Sequence, residues 1–131
     1  MGLNIVLVEP EIPMNTGNIG RLSLASGSAL HLVKPFGFEL DDKRLKRAGL
    51  DYWKHISVNI YENIEEFFLK NKDANMVYFS SSATKNYTTI NFQDDMFFLF
   101  GKESVGLSKE ITVKNLDNFY KIPIYSKHVR S

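Results

Sequence analysis

The sequence contains no cysteine, and none of it is apolar over the roughly 18 residues that a membrane-spanning helix needs. Without cysteine the chain has no disulfides and no thiolate metal sites, which is compatible with a cytoplasmic setting. Residues 1–4 carry no basic segment of the kind that opens a secretory signal. We therefore expect a cytoplasmic protein with no membrane partner and no metal site.

Net charge is nearly absent as well, because the formal value at pH 7 is only +1, which argues neither for nor against a polyanionic partner. The basic residues are nevertheless unevenly placed, with one cluster in the middle of the chain and another at its end. The first comprises Lys43, Arg44, Lys46 and Arg47, flanked by Lys34, Lys54 and His55, and the second comprises Lys127, His128 and Arg130. Such a cluster is most often a solvated helix face, and the alternative is a surface that contacts phosphates.

The composition is that of an ordinary globular protein. Of 131 residues, 44% are apolar and 24% are charged, which suits one domain over residues 1–131. Short apolar runs alternate with helical patterns, and this predicts an α/β fold with a mainly parallel sheet flanked by helices. We predict strands over 3–8, 29–33, 57–60, 76–80, 96–100 and 120–124, and helices over 42–48, 64–71 and 108–114. Residues 81–95 show no clear pattern.

A further helix is predicted between the first two strands. Residues 15–17 offer a cap for it, and Gly27 closes it. We assign its apolar face to Ile19, Leu22, Leu24 and Ala25.

The segment 9–21 joins that first strand to this helix, at the position where open α/β sheets bind their ligands. Asn15 can donate and accept hydrogen bonds, and Gly17 permits a close backbone approach. Arg21, one turn into the predicted helix, would present a planar donor fork to the same crevice. Neither the glycine pattern of dinucleotide-binding folds nor the Gly-Lys-Ser/Thr of phosphate-binding loops is present. The alternative interpretation is an elaborate helix cap with Arg21 on the solvent face.

Two later segments also lie where predicted strands end. In residues 98–107 the strand runs into Gly101, Glu103 and Gly106, and glycines spaced in this way allow a tight turn against a flat ligand. Further on, Ile122-Pro123-Ile124 forms a rigid apolar ledge that suits an adenine ring. A purely structural role explains each segment equally well. The first can be an ordinary turn between a strand and a helix, and the second can be the end of a strand.

Together these segments resemble the SPOUT superfamily, and closely its small tRNA 2′-O-methyltransferases that act at the wobble nucleotide. Asn15-Thr16-Gly17-Asn18-Ile19-Gly20-Arg21 looks like the first motif of that family, and Gly101-Lys102-Glu103-Ser104-Val105-Gly106-Leu107 is similar to its second. Ile122-Pro123-Ile124 with Arg130-Ser131 looks like the start of its third. Pro35-Phe36-Gly37-Phe38 and Ala48-Gly49-Leu50-Asp51-Tyr52 also match, so the resemblance runs essentially from end to end.

The resemblance implies a trefoil-knotted α/β fold, S-adenosylmethionine as methyl donor, S-adenosylhomocysteine as product, tRNA as substrate and a homodimer. It implies catalytic roles for Arg21, Asn15 and Glu103, and donor binding at Phe79, Gly101, Ile122 and Ser131. It suggests tRNA contacts at Lys43, Arg44, Lys46, Arg47, His55 and Arg130. In the family a loop and a final helix follow the Arg-Ser pair and complete the knot. Because this chain stops at Ser131, we expect an incomplete knot and a truncated chain.

Other classes of function share parts of this pattern. A non-catalytic RNA-binding module would keep the fold and lose the chemistry, which the retained Arg21 and Glu103 disfavour and the missing third-motif loop favours. A truncated chain could also be unable to bind the cofactor. A flavodoxin-like nucleotide-binding domain would need a hydroxyl- or glycine-rich loop after Val8, where the sequence has Glu9-Pro10.

Overall fold

The computed structural model describes residues 3–37, 58–80, 83–102 and 104–121, leaving aside the side chains of 13–15. Its strands are β1 (Asn4–Val8), β2 (Ala29–Val33), β3 (Val58–Tyr61), β4 (Met76–Phe79), β5 (Lys85–Asn86), β6 (Phe97–Phe100) and β7 (Phe119–Lys121). Its α-helices are α1 (Pro13–Ser26), α2 (Ile64–Lys70) and α3 (Lys109–Lys114). The strands form a 7-stranded sheet in the order β3-β2-β1-β6-β4-β7-β5, with parallel pairing throughout. The predicted parallel α/β fold is confirmed.

The order of the strands creates a switch point between β1 and β6. From β1 the chain steps outward through β2 to β3, whereas from β6 it steps in the opposite direction to β7. Neighbouring parallel strands whose connections leave in opposite directions open a crevice at their carboxyl ends, and ligands of open α/β sheets bind there. The fold therefore directs attention to the residues that follow β1 and β6.

Apolar side chains cover both faces of the sheet because successive residues of a strand point to opposite sides. On one face, Val6 and Leu99 are buried under Phe67 of α2 and Ile111 of α3. On the other face, a cluster around Leu30 and Leu32 packs against α1 through Ile19 and Leu24. Burial on both faces explains why the strands read as continuous apolar runs in the sequence.

Helix α1 differs from its prediction in both its start and its buried face. It begins at Pro13, because proline is well suited to the first turn of a helix, so residues 15–17 lie inside the helix and do not cap it. Gly27 closes it with φ 71°, as predicted. Among residues 16–26 of α1, the buried ones are small: Thr16, Gly17, Gly20 and Ser23. The predicted apolar face is wrong at two positions, since Leu22 is 64% exposed and Ala25 is also exposed.

The buried hydroxyls of α1 are satisfied within the helix. Thr16 Oγ1 donates to the Ile12 carbonyl at 3.3 Å, and Ser23 Oγ donates to the Ile19 carbonyl at 2.9 Å. A hydroxyl that is hydrogen-bonded to a carbonyl of the preceding helical turn is not left unpaired when it is buried. Small polar residues can therefore face the sheet.

The remaining elements follow the predictions closely. Helices α2 and α3 begin after capping side chains, where Asn63 accepts from the Glu66 amide and Ser108 from the Ile111 amide. The last strand begins one residue earlier than predicted, at Phe119. Within 81–95, where no pattern was recognised, lie the two-residue strand β5 and a 3-10 turn over Tyr87–Thr89. The predicted helix over 42–48, residues 122–124 and the chain end that bears on the knot lie outside the described residues.

Among the helices of the described residues, none is long and apolar enough to cross a membrane.

Candidate active site

Two loops meet at the switch point: the β1 loop, residues 9–12, and the β6 turn, residues 101–107. Lys102 Nζ lies 3.1 Å from Glu9 Oε1. The Ser104 backbone amide donates to Glu11 Oε1 at 2.9 Å. Segments about ninety residues apart in sequence are thus joined by two contacts at the carboxyl edge of the sheet.

The β1 loop is fixed from its other side by the segment that follows β2. Glu9 has φ 54°, a left-handed conformation that is uncommon outside glycine, and its amide donates to the Val33 carbonyl at 2.8 Å. The Gly37 amide donates to the Pro10 carbonyl at 2.9 Å. A Cβ at position 37 would lie 2.9 Å from the backbone of Glu11, so this approach requires glycine. Three strand ends, those of β1, β2 and β6, therefore form one connected edge.

The β6 turn is closed by its own backbone. The Gly106 amide donates to the Lys102 carbonyl at 2.8 Å, and the Lys102 amide donates to the Gly106 carbonyl at 3.2 Å. Gly106 has φ 74°, and a Cβ on Gly101 would lie 2.1 Å from the Gly106 carbonyl carbon. The predicted tight turn is confirmed: Gly101 is needed because it packs against Gly106, and Gly106 is favoured because of its positive φ. Contact with a flat ligand stays a prediction.

Aromatic side chains line the neighbouring strand ends. Phe79 of β4 is the register partner of Phe100 of β6, and their half-buried rings stack with centroids 4.9 Å apart and planes at 11°. Phe98 meets Phe79 edge to face at 5.8 Å. Phe79 and Gly101, both predicted to bind the donor, therefore lie at the ends of adjacent strands. A flat apolar group would find a partly exposed aromatic wall here.

Arg21 lies farther along its helix than predicted. It is eight residues beyond Pro13 in α1, which places it about 12 Å along the helix axis and more than two turns from the start. The prediction of one turn is wrong because the helix begins at Pro13 and not near Asn15. The Arg21 side chain is exposed.

Several predicted site residues lie wholly or partly outside the described part of the chain. Asn15 belongs to the first turn of α1, but its side chain is outside the described residues. The other predicted residues outside them are Glu103, Ile122, Ser131, Lys43, Arg44, Lys46, Arg47, His55 and Arg130. Their roles stay predictions.

The sequence analysis missed the residues that connect these strand ends. Glu9, Glu11 and Lys102 join the β1 loop to the β6 turn, and Gly37 joins the β1 loop to the segment after β2. Both carboxylates lie within three residues of the end of β1, and Lys102 directly follows the first glycine of the second motif, but the sequence does not show that these two segments meet. The hydrogen bonds from Ser104 hold the pKa of the Glu11 carboxyl below its ordinary value, so Glu11 is ionised at neutral pH. In the described ranges no group of three His, Asp or Glu side chains is placed to bind a metal ion.

The sequence and the fold were both compared with those of known proteins. The model of the SpoU rRNA Methylase family matches residues 2–131. A putative tRNA (cytidine(34)-2′-O)-methyltransferase of Geobacillus stearothermophilus is 42% identical over 134 residues, covering 100% of this chain and 85% of the relative. A solved structure described as giving insight into the 2-OH methylation of C/U34 on tRNA superposes with TM-score 0.90 at 38% identity, covering 98% of this chain and 84% of its own.

A more distant structure shares the fold alone. The SpoU methyltransferase AviRb of Streptomyces viridochromogenes, solved in complex with the cofactor AdoMet, has TM-score 0.84 at 17% identity. The match covers 99% of this chain and 51% of the other.

Proposed function

This chain belongs to the SpoU rRNA methylase family, and we propose that it is a tRNA 2′-O-methyltransferase that uses S-adenosylmethionine and acts at the wobble nucleotide, a cytidine or a modified uridine. One structural observation carries the proposal: the β1 loop and the β6 turn are joined at the switch point beside the Phe79–Phe100 pair. The family match and the relative from Geobacillus stearothermophilus support it.

The described residues fit S-adenosylmethionine in their chemistry. Phe79 offers an apolar ring against which an adenine can pack, and Gly101 brings backbone polar groups to the end of the neighbouring strand. Ile122 and Ser131 complete the proposed donor site. When bound, the sulfonium group supplies an electrophilic methyl group. The protein has to hold the ribose hydroxyl in line with it and exclude water from between them.

We assign Arg21 an electrostatic role and not that of a general base. An arginine guanidinium holds its proton so strongly that roughly one side chain in a million is neutral at pH 7, which costs about 8 kcal/mol before any chemistry. Orienting the hydroxyl and stabilising the charge that develops on its oxygen require much less, and the proton can leave to a nearby phosphate or water. Glu103 then orients the β6 turn or Asn15, since a carboxylate is too weak a base to take the proton of an alcohol.

The substrate and the assembly are parts of the same proposal. Lys43, Arg44, Lys46 and Arg47 would bind tRNA phosphates, with help from His55 and Arg130. The chain would form one domain and work as a homodimer, for which the 64% exposed Leu22 of α1 offers apolar surface. A tRNA substrate would place the protein in the cytoplasm.

Two measurements on the full chain test the proposal. Calorimetric titration with S-adenosylmethionine separates an enzyme from a non-catalytic RNA-binding module, because the module has no need of the donor. Incubation with donor carrying a labelled methyl group and tRNA that lacks the modification should then transfer label to the RNA. Binding without transfer would refute the enzymatic activity, and tRNA binding without donor binding would favour the module.

A further inference from the structure

Glu11 makes the most direct contact between the β1 loop and the β6 turn. Its Oε1 accepts a hydrogen bond from the backbone amide of Ser104 at 2.9 Å, and the Ser104 hydroxyl also donates to the carboxylate. Because the main contact is to backbone, it fixes the path of the β6 turn and does not merely restrain one side chain. A charged acceptor makes such a hydrogen bond stronger than a neutral one.

The Glu9–Lys102 ion pair is the second contact and the weaker one. The two side chains are partly exposed, and ion pairs of this kind contribute little because solvent screens them and two long side chains must be ordered. The pair nevertheless holds the residue at the start of the turn, whereas Glu11 holds the residue two positions later. The β1 loop thus contacts the β6 turn at two positions, Lys102 and Ser104.

We propose that Glu11 is a positioning residue, which holds the β6 turn in its binding conformation before the methyl donor arrives. The inference rests on the proposed function, since it assigns the turn to the donor site through Gly101. A turn ordered in advance loses less conformational freedom when a ligand binds, so its anchor should affect donor affinity. The chemical step should be largely unaffected, because Glu11 acts through Ser104 and not on the reacting atoms.

A graded pair of variants separates charge from hydrogen bonding. Glu11→Gln keeps an oxygen acceptor and removes the charge, whereas Glu11→Met keeps the length and removes both. Glu65→Gln, at an exposed position on α2, removes the same charge elsewhere and serves as the matched control. The readouts are amide hydrogen exchange of the donor-free protein by NMR, donor Kd by calorimetry, and kcat against KM.

For Glu11→Met we expect exchange at the Ser104 amide to accelerate about tenfold and the donor Kd to rise about tenfold, with kcat at saturating donor within about twofold of wild type. Glu11→Gln should lie between, and Glu65→Gln should match the wild type. An unchanged exchange rate at Ser104, or an unchanged donor Kd, would overturn the inference. A uniform fall in folding stability with no rise in Kd would also overturn it.

The same measurements distinguish a failure of the proposed function from a failure of the role assigned to Glu11. A wild-type protein that binds the donor but methylates no tRNA would refute the function, while exchange and Kd would still decide the role of Glu11. A wild-type protein that binds no donor would refute both.

Discussion

Gly101 and Gly106 approach each other so closely that a Cβ at position 101 would lie 2.1 Å from the Gly106 carbonyl carbon. Gly101→Ala must therefore open the β6 turn or displace the end of β6. We expect it to lower folding stability by about 1–3 kcal/mol and to weaken donor binding at least tenfold. Urea denaturation and calorimetric titration measure the two effects.

Gly27→Ala is the control for that substitution. Gly27 also has positive φ, at 71°, but a Cβ there would meet nothing within 4 Å. This variant should lose about 1 kcal/mol of stability through backbone strain and bind the donor normally. If both variants lost donor affinity equally, the special role of the β6 turn would be refuted.

Because of the buried His31, we expect the free energy of unfolding to depend on pH. It is only 5% exposed, and its Nδ1 and Nε2 lie 2.8 Å from Tyr61 Oη and 2.9 Å from Asn4 Oδ1. Because the Asn4 amide nitrogen donates to the Asp95 carbonyl, Asn4 Oδ1 is the acceptor for Nε2–H, and Tyr61 donates to Nδ1. The ring is thus neutral, and burial lowers the pKa of His31 from 6.5 to about 4.

Between pH 6.5 and 4 the unfolded chain therefore binds a proton at this residue that the folded protein does not. The free energy of unfolding should fall by up to about 3 kcal/mol as the pH falls through this window. His31→Gln should remove most of that slope above pH 4.5, below which carboxylates titrate as well. Urea denaturation at several pH values measures it, and equal slopes for the two proteins would contradict the assignment.

Arg21→Lys tests the electrostatic role of the arginine. If Arg21 orients the hydroxyl and stabilises negative charge, the variant should be slower by a similar factor at every pH. If it acts as a base, the pH–rate curve should shift to follow the pKa of the new lysine, ordinarily near 10.4. Single-turnover rates from pH 6 to pH 10 distinguish the two models.

Lys43 and Arg44 test the basic cluster. Replacing both with glutamine should weaken tRNA binding and reduce the slope of log affinity against log salt by about 1–2, as expected when two phosphate contacts are lost. Lys72→Gln, at an exposed position after α2, is the control and should have no such effect. If the double variant bound tRNA as tightly as the wild type, the basic cluster would be a solvated helix face and not a phosphate-binding surface.

The parallel sheet could be predicted from sequence because runs such as Leu3 to Val8 are buried on both faces, and this produces a continuous apolar pattern. The buried face of α1 could not be predicted from sequence. The residues that are buried there, such as Gly17, Gly20 and Ser23, are small and not strongly apolar. Strand β5 was missed because two residues carry no periodicity.

The family resemblance implied donor binding at Phe79 and Gly101, which lie at the ends of adjacent strands. Their part in binding stays a prediction. The bond between Glu11 and Ser104 could not be foreseen, because it depends on β6 inserting beside β1 instead of beside the strand that precedes it in sequence. Sequence patterns report local periodicity, whereas this contact depends on the order of the strands.

The most direct test of the central claim is to locate the methyl group on the RNA. The protein would be incubated with S-adenosylmethionine and tRNA that lacks the modification, and the RNA digested and mapped by mass spectrometry. We predict one added methyl group on the ribose 2′-oxygen of the wobble nucleotide. A methyl group on a base, at another position, or absent despite donor binding would contradict the account.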